Sequence, residues 1–190
     1  MEITFAVLAL LLYALLCLAV HYYSYRPLYK PLPPSYDESS LDGLVIMQSR
    51  SGIKLMGRWL DNPEANTTIL FSHGNKSDLG RLSDPLEEIR SQGFSVFAYD
   101  YPGYGRSEGR PTEKSLYEAI ETAYEYLTNT LGIPADRIIV MGRSLGGGPS
   151  TELARRRPVG GLILESTFTS VYRAKIIFPF LLGDKYKNLA

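Results

Sequence analysis

A serine between two glycines, in the stretch IIVMGRSLGGGPS at residues 138–150, is the group in this sequence best suited to covalent chemistry. Gly142 and Gly146 stand two residues before and after Ser144, which gives the pattern G-x-S-x-G. The apolar run before the pattern predicts a strand, and the residues after it predict a helix. A tight turn of this kind presents the serine at a helix N-terminus, where backbone N–H groups stabilise a developing anion. The pattern therefore predicts that Ser144 is a nucleophile.

A second stretch, FSHGNKSD at residues 71–78, is expected to supply the anion-binding groups that such a nucleophile requires. It lies at the end of an apolar run that predicts the third strand. A backbone N–H in this loop can join the N–H of Leu145 to form an oxyanion hole. Asn75 is the first choice for that donor, and Lys76 is the second.

The base that would accept the proton of Ser144 is not evident, because no histidine follows the serine in the sequence. His73 precedes Ser144, and we expect it to shape the loop together with Gly74; a role for His73 as the base is the alternative. Asp100 follows the fourth predicted strand and is expected to fix the turn DYPGYG. Glu165 ends a later strand. Neither carboxylate is favoured as the acid of a catalytic triad.

The composition argues against several other classes of function. Lys+Arg and Asp+Glu each number 20, so the formal net charge is zero and no global field attracts nucleic acid. The single cysteine, Cys17, cannot form an intramolecular disulfide, and two widely separated histidines give no metal-ligand spacing. The glycines at 103–109 do not match a dinucleotide fingerprint. We expect no nucleic-acid partner, no metal and no cofactor.

The N-terminal residues 1–25 are predicted to form one transmembrane helix. Residues 3–20 contain no charge, and as a helix they would span about 27 Å, close to the hydrocarbon thickness of a bilayer. Tyrosines typical of a membrane interface follow, at Tyr22, Tyr23 and Tyr25. The basic flank, Arg26 and Lys30, comes after the run, which predicts a single-pass membrane protein whose following domain is cytoplasmic.

Residues 26–43 are predicted to be a proline-rich linker between this helix and a single domain at 44–190. Four prolines lie among polar residues there, a composition that buries little and tends to stay extended. The segment is therefore expected to act as a tether.

In the domain, short apolar runs rich in β-branched and aromatic residues alternate with helical patterns. The runs predict strands at 44–49, 53–60, 67–72, 94–100, 137–142 and 161–165. Two apolar faces with helical spacing lie between them, one over 79–89 and one over 116–131, the second opened by a capping box at Ser115 and Glu118. This alternation predicts the α/β class, with a mostly parallel sheet and helices on both of its faces.

Four motifs carry a resemblance to a known family: SHGN, YDYPGYGRSEG, GRSLGGGP and LESTFTS, in this order. They resemble the membrane-tethered branch of the α/β-hydrolase family, whose members include depalmitoylating acyl-protein thioesterases and serine-aminopeptidase-like hydrolases. The resemblance implies a serine hydrolase that cleaves an acyl ester or thioester through an acyl-enzyme on Ser144. Attachment to a membrane would favour lipidated or lipid-like substrates.

The resemblance also implies that part of the site lies beyond this sequence. In this fold the triad acid and histidine come from loops after the seventh and eighth strands, and we count six strands. We therefore expect the chain to be C-terminally truncated, with an exposed strand edge at 161–165 and few packing partners for IIFPFLL at 176–182. Two alternatives stay open: an inactive membrane-anchored binding module, and a peptidase of the same fold.

Overall fold

The computed structural model describes residues 2–24 and 29–168. These residues contain six strands and four α-helices. The helices are α1 (Glu2–Ser24), α2 (Ser83–Ser91), α3 (Glu113–Glu125) and α4 (Gly147–Arg156). The strands are β1 (Leu44–Gln48), β2 (Lys54–Leu60), β3 (Thr68–Ser72), β4 (Ser95–Tyr99), β5 (Ile138–Arg143) and β6 (Gly161–Glu165). All six predicted strands are confirmed, and no predicted boundary differs from the observed one by more than one residue.

The strands form one mixed sheet in the order β1-β2-β4-β3-β5-β6. β1 and β2 are antiparallel to their neighbours, whereas β4, β3, β5 and β6 run parallel. The carboxyl ends of parallel strands meet at one edge of the sheet, so the loops after these four strands gather there. Ser72 at the end of β3 pairs with Gly142 near the end of β5, which places the predicted oxyanion loop beside the predicted nucleophile.

The hydrophobic core lies on both faces of the sheet, as predicted. β3 and β4 are buried along their whole length. Leu70 and Phe97 pack with α3 on one face, while Ile69 and Val96 pack with Leu86 of α2 on the other. Each fully buried aliphatic or aromatic side chain contributes about 1.5–3 kcal/mol relative to an exposed one, so the two central strands anchor the domain.

The start of α3 corrects one prediction. The capping box is formed by Thr112 and Ser115, not by Ser115 and Glu118. The Thr112 hydroxyl accepts a hydrogen bond from the Ser115 N–H at 3.1 Å, and Ser115 Oγ accepts one from the Thr112 N–H at 2.9 Å. Because Thr112 has an extended backbone, the helix begins one turn earlier than the sequence pattern suggested. Glu118 instead accepts a hydrogen bond from the Ser51 N–H at 2.6 Å.

The N-terminal prediction is confirmed only as a helix. α1 covers Glu2–Ser24, but across residues 2–24 and 29–168 no helix meets the length and hydropathy needed to cross a bilayer. The membrane anchor therefore stays a prediction.

The predicted linker contacts the domain from residue 29 onward. Tyr36 is 5% exposed and packs beside Leu79 and Leu82, so the expectation that this segment buries little is wrong there. At the other end of the described chain, β6 pairs only with β5 within residues 29–168, and Leu162, Ile163 and Leu164 remain 38–44% exposed. The exposed edge expected at 161–165 is thus present, while residues 176–182 lie outside the described residues.

Candidate active site

Ser144 occupies a strained backbone position between β5 and α4. Its φ is +52°, a left-handed conformation that costs a residue with a Cβ about 1–2 kcal/mol. A single tight turn, Ser144–Gly146, connects it to α4 at Gly147. The sequence context predicted for the motif, a strand before it and a helix after it, is therefore confirmed.

The flanking glycines are required by close approach of backbone atoms. A Cβ on Gly142 would lie 2.5 Å from the Gly146 carbonyl oxygen and 2.7 Å from Ser150 Oγ. A Cβ on Gly146 would lie 2.5 Å from the Ser72 carbonyl carbon. Both glycines have negative φ, so space rather than φ excludes a side chain. The turn can close only because these two positions carry hydrogen in place of a methyl group.

Gly74 of the loop after β3 lies beside Ser144. A Cβ on Gly74 would lie 3.5 Å from the Cβ of Ser144, an ordinary van der Waals distance. Asn75 is next in the chain and half-buried, and Lys76 has a φ of +63°. The structure thus places Gly74, the residue before Asn75, next to Ser144. The oxyanion roles of the Asn75 and Leu145 N–H groups stay predictions.

His73 is fully buried, and both of its ring nitrogens face other groups. Nδ1 lies 2.8 Å from the Gly74 carbonyl oxygen, so the neutral ring donates its proton there. Nε2 lies 3.6 Å from Asp100 Oδ1. Desolvation lowers the pKa of His73 to about 4, and the ring stacks on Tyr101 at 4.2 Å between centroids. This placement favours the loop-shaping role over that of a base.

Asp100 fixes the turn that follows β4. Its Oδ2 accepts a hydrogen bond from the Tyr36 hydroxyl at 2.6 Å, and its Oδ1 accepts one from the Leu79 N–H at 3.0 Å. The carboxylate also lies so close to Gly105, where φ is +50°, that no side chain fits between them. Burial raises the pKa of Asp100 to about 7. With His73 neutral, the contact between the two is a neutral pair at pH 5–6 rather than an ion pair.

Two residues at the end of β6 contact the turn that carries Ser144. Glu165 forms a half-exposed ion pair with Arg143 at 3.3 Å. Thr167, which sequence reasoning missed, donates its hydroxyl proton to the Ser144 carbonyl oxygen at 2.9 Å. The Thr167 side chain also fills the space beside Gly147. The sequence signals for Thr167 are its place in the motif LESTFTS and its position just after a strand whose neighbour leads to the serine.

An open groove of about 1590 Å³ lies apart from this site. It runs past Pro31, Lys114 and Arg157, and none of the predicted site residues line it. Across residues 2–24 and 29–168, no three His, Cys, Asp or Glu side chains come together as metal ligands.

The order of strands, the strained serine after β5 and the glycine loop after β3 define an α/β hydrolase. The chain belongs to the family described as "Serine aminopeptidase, S33", whose model matches residues 63–183.

Curated relatives share part of this chain. It is 44% identical over 119 residues to human alpha/beta hydrolase domain-containing protein 17B, and 43% identical over 121 residues to protein aho-3 of Caenorhabditis elegans. Each match covers 62% of this chain, but only 41% and 35% of the respective relative. The chain thus spans less than half the length of these relatives.

Solved structures give the same fold. An α/β hydrolase from Vibrio vulnificus superposes with a TM-score of 0.60 at 29% identity, covering 69% of this chain and 47% of that one. The Pyrococcus furiosus esterase Pf2001 superposes with a TM-score of 0.59 at 21% identity, covering 73% and 57%, and shows the fold alone. Family and fold together make this chain a member of a hydrolase family.

Proposed function

We propose that Ser144 is the nucleophile of a hydrolase that cleaves acyl esters or thioesters. One observation carries the proposal: a serine with a φ of +52° stands between two glycines that admit no side chain, in contact with the loop after β3. Backbone strain of this kind persists only where surrounding structure imposes it, and it is common at active sites.

In the proposed reaction, Ser144 Oγ bonds to the substrate carbonyl carbon while its proton passes to a base. The N–H groups of Leu145 and Asn75 stabilise the oxygen that becomes negative in the tetrahedral intermediate. The C–O or C–S bond then breaks, and the leaving alcohol or thiol takes the proton from the base. Water repeats the sequence on the acyl-enzyme and releases the acid.

The base has to come from outside the contacts seen here. Of the two histidines in the sequence, His21 is on α1, and His73 is fully buried with Nδ1 bonded to the Gly74 carbonyl oxygen. Its Nε2 lies 3.6 Å from Asp100 and has no hydrogen-bond partner among the described residues. We therefore propose that turnover requires a histidine other than His21 and His73. A triad without its base retains only the smaller catalysis that the oxyanion hole and binding provide.

A test of the serine that does not depend on a catalytic histidine uses phenylboronic acid, whose boron becomes tetrahedral and anionic when the serine oxygen bonds to it and the serine proton passes to the buffer. In ¹¹B NMR the 190-residue chain should convert trigonal boron to a tetrahedral signal, and Ser144→Ala should abolish that signal. Ser91→Ala, at an exposed serine of α2, should retain it. A signal unchanged in Ser144→Ala would refute the nucleophile, and no signal at all would favour an inactive binding module.

A peptidase is the second candidate, because the matching family model carries the description of a serine aminopeptidase. The turn that carries Ser144 and the loop after β3 would serve either reaction. In a protein that supplies the required histidine, comparing an acyl p-nitrophenyl ester with an aminoacyl p-nitroanilide distinguishes the two, since a peptidase hydrolyses the amide at a rate that Ser144→Ala removes.

Attachment of residues 1–25 to a membrane is also proposed, from the uncharged run at 3–20. It would place the domain beside lipidated substrates on the cytoplasmic side. If it is right, the full chain should stay with membranes after extraction in alkaline carbonate. Recovery in the supernatant would contradict it.

A further inference from the structure

Residues 29–37, here called the strap, lie against the loop after β3 and hold it at three places. The strap follows α1 after four residues, and its hydrogen bonds reach residues 43–74 positions further along the chain. Its contacts fall on Asn75, Asp78 and Asp100. Because these contacts join distant parts of the sequence, composition alone gave no sign of them.

The first contact fixes the side chain of Asn75. Its Oδ1 accepts hydrogen bonds from the Lys30 N–H at 2.9 Å and from the Tyr104 hydroxyl at 2.7 Å. The Tyr104 oxygen in turn accepts from the same Lys30 N–H at 3.2 Å. Two donors from two other segments thus meet at one amide oxygen. The neighbouring residue on the loop, Gly74, lies beside Ser144.

The second contact fixes the far end of the loop at Asp78, which is 1% exposed. The Ser35 N–H donates to Asp78 Oδ2 at 2.8 Å, and the Ser35 hydroxyl donates to Oδ1. Arg81 adds an ion pair with Oδ2 at 2.8 Å and donates to the Pro33 carbonyl oxygen at 3.3 Å. These bonds lower the pKa of Asp78 even though its burial acts in the opposite direction.

The third contact passes through Tyr36. Its hydroxyl donates to Asp100, which accepts the Leu79 N–H with its other oxygen. Arg106 holds Tyr36 in place by donating to its carbonyl oxygen at 3.1 Å and by pairing with Asp37. The loop from His73 to Leu79 is therefore tied to the strap at Asn75, at Asp78 and, through Asp100, at Leu79.

We propose that the strap positions the oxyanion hole by fixing the direction of the Asn75 N–H relative to Ser144. Tyr104 and Tyr36 are positioning residues for that donor. This inference rests on the proposed function, since it assigns a role to the same loop. A side chain anchored by two donors cannot rotate without losing both bonds, so the peptide of Asn75 is held as well. Bonds of this kind matter most where a donor must meet a charge that exists only transiently.

The test compares two Tyr→Phe variants that each remove one hydroxyl group. Tyr104→Phe removes the donor to Asn75, whereas Tyr124→Phe removes a donor at 2.8 Å to the Pro158 carbonyl oxygen, two residues after α4. Both should lower stability by a similar amount, because each loses one partly buried donor and the Lys30 N–H that also reaches Tyr104 keeps its bond to Asn75 Oδ1. Phenylboronate affinity, measured by ¹¹B NMR titration of the 190-residue chain, should fall about fivefold in Tyr104→Phe and stay within about twofold of the wild type in Tyr124→Phe.

Hydrogen exchange gives a second readout that does not involve the serine. The Asn75 amide should exchange faster in Tyr104→Phe and in Tyr36→Phe than in Tyr124→Phe. Equal boronate affinity in Tyr104→Phe and the wild type would overturn the positioning role while leaving the nucleophile intact. If the wild type forms no tetrahedral adduct, the proposed function fails, and the positioning role fails with it.

Discussion

Replacement of Gly146 by alanine should destabilise the domain far more than the same replacement two residues later at Gly148. A Cβ on Gly146 would lie 2.5 Å from the Ser72 carbonyl carbon and 2.9 Å from its Cβ. A Cβ on Gly148 would meet nothing within 4 Å. The two glycines stand at the start of the same helix, so the comparison isolates close packing from helix propensity.

The magnitude follows from what would have to move. Ser72 is fully buried in β3, between β4 and β5, so its carbonyl cannot move aside as a flexible side chain would. Overpacking a well-packed site costs about 1–3 kcal/mol, and a backbone neighbour places Gly146→Ala at about 3 kcal/mol or above. Gly146 has a φ of −63°, so alanine is not penalised there by backbone conformation. Gly148→Ala should be neutral or stabilise by up to about 1 kcal/mol.

Urea unfolding of the full chain measures both variants. Trp59 is the only tryptophan, lies on β2 and packs 6.5 Å from Phe97, so its fluorescence reports unfolding of the sheet. With a slope of about 1–3 kcal/mol per molar urea, the expected difference of about 3–4 kcal/mol moves the midpoint by at least about 1 M. Midpoints that agree within about 0.2 M would refute the close contact between the serine turn and β3.

Three further results are expected. Ser144→Gly should raise the free energy of unfolding relative to Ser144→Ala by about 0.5–1 kcal/mol in urea unfolding, because glycine adopts a φ of +52° without strain; equal values would contradict the strain. Thr167→Val should lower stability by about 1 kcal/mol, since the Ser144 carbonyl loses its donor; a change below about 0.3 kcal/mol would show that this bond is not formed. In Asp100→Asn, the free energy of unfolding should rise with pH between 4 and 6.5, more steeply than in the wild type, when urea unfolding is repeated across that range.

The sign of the pH effect comes from two buried groups that oppose each other. His73 has a folded pKa of about 4 against an ordinary 6.5, so between these values only the unfolded chain binds its proton, and stability falls as the pH falls. Asp100 has a folded pKa of about 7 against an ordinary 3.8, so only the folded chain is protonated there, and stability falls as the pH rises. Removing Asp100 leaves the His73 slope of up to about 1.4 kcal/mol per pH unit. A slope equal to that of the wild type would refute this account.

The sequence was sufficient to predict the sheet and the strand, turn and helix around Ser144, because these depend on local pattern. Each strand is a continuous apolar run, and Ser144 sits in a pattern of two glycines with a recognisable spacing. Contacts within the same turn require Gly142, whereas close approach of Ser72 in β3 requires Gly146. The start of α3 was misplaced because the sequence offers two pairs of polar residues with capping-box spacing. The helix uses Thr112 and Ser115, whereas the prediction chose Ser115 and Glu118. Contacts between distant residues were missed: Tyr36 and Asp100 are 64 residues apart, and no periodicity joins them.

The pairing of Ser72 with Gly142 has a consequence for the order in which the protein forms. These residues are 70 positions apart in the sequence, and β4 and α3 are synthesised between them. Non-local parallel pairing is slow, because the chain loses the entropy of a long loop before any contact repays it. The strained turn that holds Ser144 can therefore form only once β5 has docked beside β3. The proposed reactivity of this serine thus depends on a pairing between residues far apart in the sequence.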